Sequence, residues 1–280
     1  MTPGPEVSAG CSYMNLILSL ILRFSGPLTV GLFGACALAC SGQSASSEPF
    51  AMRAQVVATY PHDENAFTQG LVIHDGRLFE GTGQYGRSSL REVDLETGSV
   101  ERIAPLNRAF FGEGITIMGD RIFQLTWQNG VGAIYALESF EVTGVFRYDG
   151  EGWGLTNDGE YLILSDGTAT LRFLDPADFT VVREVTVAGS NGPLERLNEL
   201  EYIRGEIWAN VWYEDFIVRI DPDSGEVSGT VDLSNVYPAA LRSSEEVANG
   251  IAFDASDGRI YVTGKNWPEL YEIRLVAAED

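Results

Sequence analysis

Five stretches of the chain can be laid over one another: QGLVIHDGRLFEGTG from Gln69, EGITIMGDRIFQLTW from Glu113, WGLTNDGEYLILSDG from Trp153, NELEYIRGEIWANVW from Asn198 and NGIAFDASDGRIYVTGK from Asn249. Their starts lie 44, 40, 45 and 51 residues apart. Each reads as a strand, a tight Gly- or Asp-containing turn and a second strand. A further hairpin follows, as in LREVDLETGSVERI, LRFLDPADFTVVREV and IVRIDPDSGEVSGTV. No amphipathic helical run interrupts the pattern. A period of about 40–50 residues with three to four strands per unit is the signature of a β-propeller. The expectation is therefore an all-β, five-bladed β-propeller. Its last unit runs short after LYEIRL, and an unassigned strand, AQVVATY (54–60), precedes the first. This N-terminal strand is expected to complete the last blade and close the ring, which removes edges that would otherwise pair between molecules. A β-sandwich would not require five superposable repeats.

Equivalent positions in a ring of blades converge on its axis. The residues opening the inner strands are Gln69, Glu113, Trp153, Asn198 and Asn249. Fourteen residues on, or sixteen in the last repeat, come Gly83, Trp127, Gly167, Trp212 and Lys265. These two rings hold one carboxylate, three amides, three tryptophans, a lysine and two glycines. Large aromatics with a few polar groups describe a pocket for a small ligand. A tryptophan can also simply plug a channel; a Glu–Lys pair is costly to bury for that purpose. Lys265 is the only lysine beside 17 arginines, and an ammonium shifts its pKa more readily than a guanidinium.

Other motifs carry less. GTGQYG (81–86) has dinucleotide-type spacing but runs into a strand, so no helix N-terminus awaits a pyrophosphate. DPDSGE (221–226) lacks the length and final glutamate of a calcium loop and reads as a hairpin turn. His62 and His74 are the only histidines, too few for a histidine metal site, and His62 reads as structural. No G-x-S-x-G nucleophile motif occurs. The formal charge of −22 excludes nucleic acid as a partner and favours a cationic ligand such as a free amino terminus.

All three cysteines, Cys11, Cys36 and Cys40, fall in the first 40 residues, so none serves the repeats. NLILSLIL (15–22), Arg23 and the apolar stretch 28–39 lead to ALAC and then to SGQSASSE. That order resembles a bacterial lipoprotein signal cleaved before a lipidated Cys40, with Cys36 the alternative. The expected organisation is a signal peptide over 1–39, a flexible tether over 40–52 and a propeller domain over 53–280. It implies an exported, periplasmic or membrane-anchored monomer that meets the membrane only through its lipid.

PHDENAFTQGL (61–71), EGTGQYGRSSLREVDLETG (80–98), FFGEGIT (110–116), QLTWQ (124–128), DGEGWGLTNDG (149–159), RLNELEY (196–202), WANVW (208–212), NGIAFD (249–254) and VTGKNWPELYEI (262–273) resemble the plant and bacterial glutaminyl cyclases. The resemblance spans about residues 54–274. It implies a five-bladed propeller that turns the N-terminal glutamine of peptides or proteins into pyroglutamate, releases ammonia and needs no catalytic zinc. A structural ion in the channel stays open. The resemblance implies that Glu113 is the general acid/base and that Gln69, Trp127, Trp153, Asn198, Trp212 and Lys265 line the site. Lys265 and Asn198 are expected to assist the chemistry as hydrogen-bond donors, and Asn249 joins the substrate-binding set from the ring alignment. Asn266 and Tyr213-Glu214 depart from the family's usual residues at the rim. The alternatives are a non-catalytic propeller that binds a ligand or protein, and a metal-dependent propeller hydrolase of the lactonase kind. The latter would place several acidic ligands on the axis, where the rings offer one.

Overall fold

The computed structural model describes residues 50–278. The expected leader, both candidate lipidation cysteines and most of the tether lie outside the described residues. The first strand, β1 (Phe50–Pro61), is followed by β2 (Thr68–His74), β3 (Arg77–Thr82), β4 (Ser89–Val93) and β5 (Val100–Pro105), and the last four form one antiparallel sheet. A second sheet holds β6 (Gly112–Met118), β7 (Arg121–Thr126), β8 (Val131–Ala136) and β9 (Val142–Arg147). A third holds β10 (Leu155–Asn157), β11 (Leu162–Leu164), β12 (Thr170–Leu174) and β13 (Val181–Thr186). A short ladder of β14 (Ala188–Gly189) and β15 (Gly192–Pro193) precedes β16 (Leu197–Ile203), β17 (Glu206–Val211), β18 (Phe216–Ile220) and β19 (Val227–Asp232). The chain ends with β20 (Ala248–Asp254), β21 (Arg259–Gly264) and β22 (Glu269–Ala277).

The N-terminal strand pairs antiparallel with β22, from Met52 opposite Ala277 to Pro61 opposite Glu269. It is longer than the expected 54–60. Phe50–Arg53 also run parallel to β19, which merges β16–β19, β1 and β20–β22 into one eight-stranded sheet. The final residues of the segment expected to be tether, 50–52, are thus paired strand, because β1 offers hydrogen-bonding groups on both edges.

The opening strands of the meanders stand side by side in a closed cycle: β2 beside β6, then β10, β16, β20 and back to β2. These inner strands are buried on both faces, as in β6, whereas β5, β9 and β13 on the outside are largely exposed. The core divides into five clusters: four lie between neighbouring sheets and one between the β16–β19 and β20–β22 halves of the eight-stranded sheet. One residue of the second strand in each repeat anchors each cluster: Phe79, Phe123, Ile163, Trp208 and Tyr261 are at most 3% exposed. Each such side chain contributes roughly 1.5–3 kcal/mol through burial. The hydrophobic repeat positions therefore hold the sheets together, and the polar ones are left for the axis.

Candidate active site

The residues opening each repeat are displaced by irregularities in pairing. The ladder between β2 and β3 slips between Thr68 and Gly70, and that between β6 and β7 between Gly112 and Ile115. The same slip occurs between Leu197 and Leu200 and between Ala248 and Ile251. Gln69, Glu113, Asn198 and Asn249 thus sit at β-bulges, which re-aim a side chain out of the ladder. Trp153 lies just ahead of β10, with its N–H donating to Ser165 O at 2.9 Å. Four of the five are followed by glycine, because neighbouring inner strands approach closely. A Cβ on Gly114 would lie 2.5 Å from the Leu155 nitrogen, and one on Gly154 1.9 Å from the Asn198 oxygen.

The second ring directly follows the second strands. Trp127 N–H donates to Phe111 O at 3.0 Å, Trp212 N–H to Arg196 O at 2.8 Å and Lys265 N–H to Val247 O at 2.9 Å. The two glycines of this ring make room for aromatics. A Cβ on Gly83 would lie 2.3 Å from the Phe111 ring, and one on Gly167 2.7 Å from Trp153.

Gln69, Glu113, Trp127, Trp153, Asn198, Trp212 and Lys265 meet around one cavity of about 200 Å³, completed by Phe67 and Phe111. That is smaller than the ~300–1,000 Å³ typical of drug-sized ligands, and suits a single amino-acid side chain. Trp153 meets Trp212 edge to face at 5.2 Å, and Phe111 meets Trp127 at 5.7 Å.

Asn249 is not among the residues that line this cavity. It is fully buried, and its Nδ2 donates to Thr68 O and Gln69 Oε1, both at 2.9 Å. Its amide nitrogen is thus committed to β2, the strand packed against its own, while its Oδ1 is buried without a partner. By occupying Gln69 Oε1, it leaves the Gln69 amide nitrogen to face Glu113. Asn198 Oδ1 is buried without a partner, so its amide has an acceptor to offer a ligand.

Phe67, Phe111 and Glu151 were missed by the ring alignment, although the same alignment holds them. Two residues ahead of each opening position stand Phe67, Phe111, Glu151, Arg196 and Val247. Extending the repeat upstream by two positions exposes a third ring.

Glu113 is only 4% exposed. Burial pushes its carboxyl well above the usual range; Lys265 and the Gln69 hydrogen bond pull it back, and Glu151 adds to the rise. Lys265 is driven down to about 8 by burial, against the opposing fields of Glu113 and Glu245. The two interact through the field, without a direct ion pair among the described residues. The Lys265 ammonium instead stands 4.9 Å from the Phe67 ring centre and 5.9 Å from that of Trp212, a cation–π arrangement. A carboxyl raised by burial beside a lysine lowered to about 8 is suited to moving protons near neutral pH.

Other buried acids serve the frame. Glu199 replaces the glycine found in the other repeats, and its carboxyl accepts the N–H groups of Leu71 and Ile251 at 3.2 and 2.9 Å. His62 Nε2 and Glu80 Oε1 lie 3.0 Å apart, both nearly inaccessible, in agreement with a structural histidine. Among the described residues, no three His, Cys, Asp or Glu side chains converge as metal ligands.

An all-β scaffold with an aromatic-walled cavity around one buried carboxyl and one buried lysine defines a class: a protein with an enclosed site for a small ligand. The chain belongs to the glutamine cyclotransferase family, whose profile matches residues 30–275. It is 44% identical over 229 residues to the glutaminyl-peptide cyclotransferase of Arabidopsis thaliana, covering 80% of this chain and 72% of that protein. The crystal structure of Myxococcus xanthus glutaminyl cyclase superposes with a TM-score of 0.78 at 38% identity, over 83% of this chain and all of that one.

Proposed function

We propose that this chain is a five-bladed β-propeller that cyclises the N-terminal glutamine of peptides or proteins to pyroglutamate with release of ammonia. The observation that carries this reading is the enclosed Glu113, 4% exposed, on the wall of a cavity sized for one side chain, in a member of the glutamine cyclotransferase family. The blade count is supported by the five inner strands and the five intervening cores. The reaction is an intramolecular acyl transfer: the glutaminyl acyl group moves from its amide nitrogen to the α-amine of the same residue.

Nucleophile and electrophile are already tethered, so the site has to hold the folded conformer and relay protons. The α-amine nitrogen attacks the γ-carboxamide carbon, and the C–N bond to the amide nitrogen breaks. The carbonyl oxygen of neutral Glu113 accepts a proton from the attacking amine, while its hydroxyl gives one to the departing nitrogen. Ammonia leaves and Glu113 returns to its starting state. The Lys265 ammonium and the Gln69 amide nitrogen donate to the carbonyl oxygen as it gains charge; one such donor is worth about 10²–10³ in rate. Asn198 Oδ1 accepts from the carboxamide N–H, and the tryptophans exclude water.

In this reading no metal takes part, and the leader supports export with lipidation at Cys40. Loss of labelled palmitate from Cys40→Ser tests the anchor. The function is tested by ammonia release from a short Gln-initiated peptide, with the matching mass loss followed in parallel. Turnover that survives chelation is expected. No release from folded protein moves the function to ligand binding, and chelator loss with metal rescue moves it to a metal-dependent hydrolase.

A further inference from the structure

Glu151 occupies the third-ring position that is phenylalanine in the first two repeats. Its Oε2 accepts the indole N–H of Trp127 at 2.7 Å and that of Trp153 at 2.9 Å. Its Oε1 accepts Gln128 Nε2 at 3.1 Å. Trp127 follows β7 in the second sheet, and Trp153 leads into β10 in the third, so one oxygen joins cavity walls from two sheets. An indole N–H can only donate. A carboxylate oxygen, with two lone pairs and a full charge, is the acceptor that can hold two of them at once.

We propose that Glu151 is a positioning residue for the cyclisation, its Oε2 locking the two indole walls at the spacing that clamps the glutaminyl side chain. This rests on the reading of the cavity as the glutamine site. The contrast with Glu113 supports it. Burial works against the Glu151 charge, but the bonds from Trp153, Gln128 and Trp127 hold its carboxyl below the usual range. Burial raises the Glu113 carboxyl well above the usual range, with Lys265 and Gln69 opposing and Glu151 adding to the rise. The two carboxyls are thus pushed in opposite directions, and the field of Glu151 adds to the rise at Glu113. Arg172 Nη2 donates to the Glu151 main-chain oxygen at 3.2 Å and pairs with Asp166 at 3.1 Å.

Steady-state kinetics of Glu151→Gln and Glu151→Ala across pH test the proposal beside the wild type. The Gln variant keeps the size and one acceptor oxygen but meets two N–H donors without a charge. KM for a Gln-initiated peptide is expected to rise about 10- to 100-fold in both variants, the scale of a lost charge-assisted hydrogen bond. The kcat should fall by less than KM rises. The Glu113 limb of the kcat/KM profile should move to lower pH, because a negative neighbour has been removed; a merely structural role does not move that limb. Unchanged KM and profile in folded Glu151→Gln, against an active wild type, overturn the positioning role alone. An inactive wild type overturns the functional reading, and this proposal with it.

Discussion

Replacing Glu113 by glutamine removes a proton relay while leaving the shape of the site almost unaltered. Glu113 is 4% exposed and burial favours its protonated form, so the exchange swaps groups of nearly equal size and, in that form, equal charge. The expected loss of stability is under about 1 kcal/mol, or a Tm change of about 2–4 °C for a domain of this size. The amide cannot exchange protons, and general acid–base catalysis is worth about 10²–10⁴ in rate. The assay is ammonia release at saturating Gln-peptide, run beside thermal unfolding of the same preparation. A kcat within about tenfold of wild type would refute the proton-relay role. A fall in Tm of more than about 10 °C would refute the inference that burial favours the protonated carboxyl.

Wild-type activity should decline as pH rises through about 8, where Lys265 loses its proton; Lys265→Met should be slow and lack that limb, and a persistent limb refutes the assignment. His62 is held above its ordinary 6.5, because Glu80 outweighs the opposing effect of burial. Glu80 is held below 4.5, because His62, Arg91 and Thr68 outweigh the same effect. Their mutual stabilisation is complete between those two ordinary values, falling as pH drops through the lowered Glu80 value or climbs through the raised His62 value. At pH 5.5, chosen as roughly mid-window, Glu80→Gln should cost about 3–5 kcal/mol in denaturant unfolding. Gly154→Ala would place a Cβ 1.9 Å from Asn198 O and should destabilise the fold by about 1–3 kcal/mol or more; an unchanged unfolding midpoint would contradict the close inner-strand packing.

Most of the architecture was legible because a repeat makes one position informative about four others. The superposition from Gln69, Glu113, Trp153, Asn198 and Asn249 located the inner strands, and the large residues ten or twelve positions later proved to anchor the five cores. The parallel run of Phe50–Arg53 along β19 was not legible, since strand edges carry no side-chain pattern of their own. Phe67, Phe111 and Glu151 were missed for a narrower reason: the repeat was started two residues late.

The sequence by itself determined which residues share a ring, because periodic strands of matching length carry equivalent positions to equivalent depths. Only the tertiary structure decided what each member does there. It set the Asn249 amide nitrogen against Gln69, brought two indoles from different sheets onto one oxygen of Glu151, and pushed the carboxyl of Glu113 up while that of Glu151 is pulled down. Hydrogen bonding and desolvation depend on distances between strands that are remote along the chain, and those distances exist only once the sheets have packed.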